Sequence, residues 1–175
     1  MVESPDEPTW PAMHAEERTM LEGFLDGFRS VLLRKAAGLD GEQLATRLGP
    51  SSLTLGGLLK HMALVEDIWF TQALRGDPLP EPWASVDWDR DPDWELHSAV
   101  HDAPELLHRQ FVTSVERSRA IAAGIASLDH VAAKRSPEGE STTLRWITVH
   151  MIEEYARHCG HADLIRESID GATGD

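Results

Sequence analysis

Four long stretches of the chain space their apolar residues three and four apart, the signature of a helix with one buried face. The first covers about residues 11–37, with Met13, Met20, Leu21, Phe24, Phe28, Val31 and Leu32 as its stripe. Pro11 suits its entry and Gly38 its C-terminal cap. The second covers about 55–74, with Thr54 as N-cap, and stops at "RGDPLP". The third starts at "DAPE", with Asp102 as N-cap and Pro104 in the first turn, and continues to about Ser127. The fourth covers about 143–169 and stops at "DGATGD". No strand pattern competes with these, so the expected class is all-α, a four-helix bundle.

The second and third helices are separated by an unusually long connection, residues 76–101, rich in acids and proline and carrying Trp83, Trp88 and Trp94. A connection of that length is either functional or disordered. Three tryptophans predict that it packs, as a strap across the bundle or as the lid of a pocket. The 175 residues fit one domain, 1–175, with 1–10 as a loose N-terminal segment.

Composition removes several function classes. The formal net charge is -14 and no basic cluster appears, so a phosphate backbone is not the expected partner. No apolar run reaches the roughly 18 residues of a membrane span, and the acidic, proline-bearing start resembles no targeting peptide. A cytoplasmic protein is expected. With Cys159 as the single cysteine, any metal site has to be built from histidines and carboxylates.

Those residue types crowd into "HMIEEYARHCGH", residues 150–161. At about 100° per residue, Glu154 falls roughly 40° from His150 and His158 roughly 40° further, with His161 between His150 and Glu154. Ile147, Met151 and Ile165 share that sector, so the polar residues sit on the face a bundle helix turns inward. Glu153, Arg157, Asp163 and Arg166 lie elsewhere. In "GGLLKHMALVEDIW", His61 lies in the stripe Leu58, His61, Leu64, Val65 and Ile68, while Lys60, Glu66 and Asp67 fall off it. A buried carboxylate among histidines needs compensation. A divalent cation shared between the two helices would supply it, and so would local His–Glu hydrogen bonds. Neither "HExxH" nor the paired Glu-x-x-His of di-iron bundles is present, so a metal, if bound, is expected to be single.

"TLGGLLKHMALVEDIWF" followed by "LRWITVHMIEEYARHCGHADLIRESIDG" resembles the DinB-like superfamily of metalloenzymes, and in particular its actinobacterial branch near the mycothiol-dependent transferases. The resemblance implies an up-down-down-up four-helix bundle, often a homodimer, holding one divalent metal through three side chains. Carried onto this sequence, the ligands are His61 of the "LLKH" segment, Glu154 and His158. Glu154 departs from the commoner histidine and matches the His, Glu, His set of the isomerase branch. His161 replaces the family's glutamine; it and His150 are candidates for supporting the ligands or for a fourth position. Zinc is the first expectation, with nickel or iron(II) next. The implied activity is transfer of a low-molecular-weight thiol such as mycothiol onto a small electrophile. A metal-dependent hydrolase and a non-catalytic, stress-associated metal-binding bundle are the alternatives.

Overall fold

The structure is a computed structural model and describes residues 7–135 and 139–174. It is mostly helical, and the four long helical stretches stand close to where the periodicity puts them. Helix α1 is Glu17–Ala36, and the short α2 is Gly41–Leu44. Helix α3, Leu55–Glu66, continues as a π-helical segment Asp67–Leu74. The crossover carries the short α4, Trp94–Ser98, and leads into α5, Pro104–Ala123. After an antiparallel hairpin of β1 (Val131–Arg135) and β2 (Ser141–Thr143) comes α6, Leu144–Asp170.

Local chemistry accounts for several of these boundaries. The Thr54 hydroxyl accepts from the Gly57 amide to open α3, and the Thr143 hydroxyl accepts from the Trp146 amide to open α6. Gly171, at φ 77°, closes α6 in the left-handed conformation that glycine tolerates best. Three expectations need correction. Helix α1 starts at Glu17 instead of near Pro11, because the preceding segment folds back along the helix. Its Trp10 ring lies against Gly27, where an added Cβ would stand 2.6 Å from the indole, and between Phe24 and Phe28. Of the N-terminal segment expected to be loose, residues 1–6 lie outside the described residues. Asp102 does not cap α5; Ala103 occupies that position without a side-chain cap, while Asp102 binds Lys60. The hairpin is the third correction, since no strand was expected. It is short and mostly exposed, so it carries no long alternation to be read.

Contacts between the long helices give their relative directions. Glu17 pairs with Arg145, Phe28 meets Cys159 and Lys35 pairs with Asp163, so α1 and α6 run side by side in the same sense. His61 meets His158, Glu66 meets Tyr155 and Trp69 meets His150, so α3 runs against α6. Gly56 faces Leu107 and Asp67 meets Ser114, so α5 runs with α3. Leu32, Leu55, Leu58, Met62, Leu107, Phe111, Leu144, Ile147 and Met151 fill the space between them.

The largest departure from the helical wheel concerns charge. Lys60, Glu66 and Asp67, which lie off the inward stripe, are all buried. Helix α3 is enclosed everywhere but at His61, so even its polar flank must find partners. The Lys60 ammonium reaches the Ser98 hydroxyl at 2.8 Å and the Asp102 carboxylate, and sits 4.2 Å over the Trp94 ring. Asp67 accepts from the Trp83 indole at 2.9 Å, from the Ser114 hydroxyl at 2.7 Å and from Arg117. The tryptophan-bearing crossover is therefore strapped to α3 at both ends. Glu66 accepts two hydrogen bonds from Arg29, each 2.7 Å, and one from the Tyr155 hydroxyl, also 2.7 Å. Burial and then the Glu66 charge push the Tyr155 phenol well above its ordinary range, with Arg29 opposing them. It stays a proton donor at any physiological pH.

Arg29→Met leaves Glu66 as a buried charge with a single neutral donor. Losing one partner of a buried pair costs about 3–5 kcal/mol. Urea unfolding at neutral pH is expected to show that loss, and the double variant Arg29→Met/Glu66→Gln to lose less than the single one.

Candidate metal centre

His61 sits in the second turn of α3, and Glu154 and His158 sit one turn apart on α6. The antiparallel crossing of the two helices brings them together. One ligand atom from each of His61, Glu154 and His158 lies within 4.8 Å of the other two. The two imidazoles meet edge to face with centroids 5.0 Å apart, and His158 Nε2 stands 3.3 Å from a Glu154 oxygen. His158 is buried, while His61 and Glu154 retain some exposure. The cluster is thus set into the protein but reachable from solvent.

The electrostatics of the cluster keep the His158 lone pair free of a proton. Burial first, and then the neighbouring His61, lower the His158 pKa to about 4, against a smaller opposing pull from Glu154. His158 is therefore neutral near pH 7. Its Nδ1 faces His161 Nδ1 at 3.4 Å, which leaves Nε2 directed at the Glu154 side. His61 Nδ1 is 2.9 Å from a Glu95 oxygen, so Nδ1–H donates to the carboxylate and Nε2 is the ring nitrogen left for the cluster.

The four polar residues read onto one inward face of α6 do not all reach this point. His161 stands beside His158. His150 lies a turn before Glu154, with its ring stacked on Trp146 and edge-on to Trp69, and its Nδ1 is 3.4 Å from Glu153. It forms a second acidic grouping with Glu153 and Glu154 that shares only Glu154 with the first. Glu153 and Arg157 turn to solvent, as the wheel indicates, and pair with each other. Glu95 is the residue that sequence reasoning missed. It lies in "DWELHS", amid so many acids that nothing in the pattern distinguishes it from its solvated neighbours. Cys159 is buried, with its sulfur 3.6 Å from the Phe28 carbonyl oxygen on α1, turned away from the histidines.

The donor set suits a divalent cation. Two imidazoles and a carboxylate are ordinary ligands of zinc and of neighbouring transition metals. Ligand atoms around a tetrahedral zinc stand about 3.4 Å apart, and the three here lie within 4.8 Å of one another.

Comparison with known proteins agrees with the fold and specifies the family. No curated protein matches the chain. Among solved structures it is similar to a conserved protein from Enterococcus faecalis, known from its crystal structure. The two share 18% identity over 90% of this chain and 99% of that one, with a TM-score of 0.68. At that identity the likeness concerns fold alone. The family model for mycothiol-S-transferase matches residues 20–171, a span that takes in most of α1 and all of α3, the crossover, α5 and α6 together with His61, Glu154 and His158. The chain belongs to the mycothiol-S-transferase family, a DinB-like family.

Proposed function

We propose that this protein is a divalent-metal-dependent S-transferase that joins a low-molecular-weight thiol of the mycothiol type to a small electrophile. The observation that carries the proposal is the convergence of His61, Glu154 and His158 from two helices onto one point. Family membership supports the thiol as co-substrate. In this reading the four long helices form an up-down-down-up four-helix bundle, and the working unit is a cytoplasmic homodimer.

His61 and His158 would hold the metal through Nε2 and Glu154 through a carboxylate oxygen, with zinc the first expectation and nickel or iron(II) next. A bound divalent cation lowers the pKa of a coordinated thiol and makes a thiolate available at neutral pH. The charge of the donor set serves that chemistry. Two neutral imidazoles and one carboxylate leave a divalent site with a net positive charge, which one thiolate neutralises. Three protein ligands also leave room for an exogenous one. Burial of His158 keeps its imidazole unprotonated, so the site needs no proton removed from that ligand before it is occupied. His161 would orient the His158 ring and His150 would stay outside the coordination sphere.

The test uses untagged full-length protein, since a hexahistidine tag brings metal of its own. About one zinc per chain is expected, with loss of nearly all of it in His158→Ala. His161→Ala and His150→Ala are expected to keep the stoichiometry. Metal-loaded protein should conjugate a bimane electrophile only when mycothiol is supplied. Metal-dependent turnover without any thiol would replace the transferase with a hydrolase, and a zinc-free wild type would end the metalloenzyme reading altogether. Light scattering is expected to give twice the chain mass.

A further inference from the structure

Among the described residues three carboxylates are almost wholly withdrawn from water, and only two of them are fully engaged. Glu66 accepts from Arg29 and Tyr155, and Asp67 accepts from Trp83, Ser114 and Arg117. Glu95 differs. Its side chain is 5% exposed, and Oε1 accepts from His61 Nδ1 at 2.9 Å. Oε2 is buried without any hydrogen-bond partner among the described residues. A structural tether has no reason to leave half of a buried carboxylate unpaired, because the lost solvation is not returned.

We infer that Glu95 is a positioning residue for the metal centre, tying metal affinity to the docking of the crossover on α3. The inference rests on the metal reading of the preceding subsection. A cation held by His61 would withdraw electron density from the ring, make Nδ1–H a stronger donor, and give the Glu95 charge a positive counterpart through the imidazole. Carboxylate partners of this kind fix the tautomer and orientation of a ligating histidine and raise its basicity. With no other donor on Oε2, the Glu95 charge acts on the His61 ring alone.

The fold holds Glu95 in place by means independent of His61. Leu96, the next residue, packs over Gly57, where an added Cβ would come within 3.4 Å of it. Lys60, adjacent to His61, binds Ser98 and Asp102 on the far side of Glu95 and lies over Trp94. Helix α4 is thereby clamped to α3 on both flanks of the carboxylate. Its short length and the acid-rich loop before it would not otherwise fix one carboxylate against one ring nitrogen.

The experiment measures zinc affinity by competition with a chromophoric chelator on untagged, full-length protein, alongside thermal unfolding of the metal-free form. Glu95→Ala is expected to bind zinc about 10–100-fold more weakly, with the metal-free melting temperature unchanged or raised. Glu95→Gln retains an oxygen acceptor for Nδ1–H and is expected to recover part of the affinity. Cobalt-loaded Glu95→Ala should show a shifted visible spectrum while still binding one ion per chain. Wild-type affinity in Glu95→Ala overturns the inference and leaves the metal site standing. A fall in the metal-free melting temperature that accounts for the weaker binding makes Glu95 a structural tether and also overturns it. Loss of binding stoichiometry in Glu95→Ala would make it a ligand instead, and a wild type that binds no zinc overturns both readings.

Discussion

The Glu66 carboxylate, with no solvent exposure, is the point on which the helix arrangement turns. It joins Arg29 of α1 and Tyr155 of α6 to α3 through three hydrogen bonds of 2.7 Å. Hydrophobic contact alone would let α3 slide against α6 at modest cost, since one leucine packs about as well as the next. A buried charge with directional partners does not slide, because each half-formed arrangement leaves polar atoms stranded. The bolt lies five residues after His61 on α3 and three before His158 on α6. A helix rises about 1.5 Å per residue, so these offsets are within one or two turns of each other, and a fixed Glu66–Tyr155 contact fixes the separation of the histidines.

Much of this architecture is legible in the sequence because it is local. Thr54, Thr143 and Gly171 mark helix ends through hydrogen bonds or backbone angles that involve only near neighbours. The shared face of Glu154 and His158 follows from the helical repeat alone. Their meeting with His61 needs only that two inward faces belong to one core. The buried charges are another matter. Arg29 lies 37 positions from Glu66, and Tyr155 lies 89 positions from it. A wheel that assigns charged residues to solvent has no means of anticipating partners brought by other helices. The same limit hides Glu95. Its distinction comes from contact with His61, 34 residues away, and not from any feature of its own neighbourhood.

The crossover illustrates how the two kinds of information combine. Its tryptophans announce that it packs, and Trp83 and Trp94 do so by engaging Asp67 and Lys60, the very charges misplaced by periodicity. Of the two readings its sequence offers, strap or pocket lid, these contacts are those of a strap, and Glu95 of the same segment meets His61. Asp67 and Trp69, two residues apart on the segment after α3, fall on opposite sides of the helix axis, so Asp67 faces α5 and Trp69 faces α6.

The setting of Cys159 bears on a different hazard, that of oxidation. It follows His158 directly in the chain, yet its sulfur is buried against the Phe28 carbonyl. A thiol buried to this degree seldom meets disulfides from solution. In a cell under oxidative stress, where low-molecular-weight thiols accumulate as mixed disulfides, the protein therefore presents no sulfur of its own for capping. If its chemistry consumes such thiols, it is spared from inactivation by their oxidised forms at the time when electrophiles are most abundant.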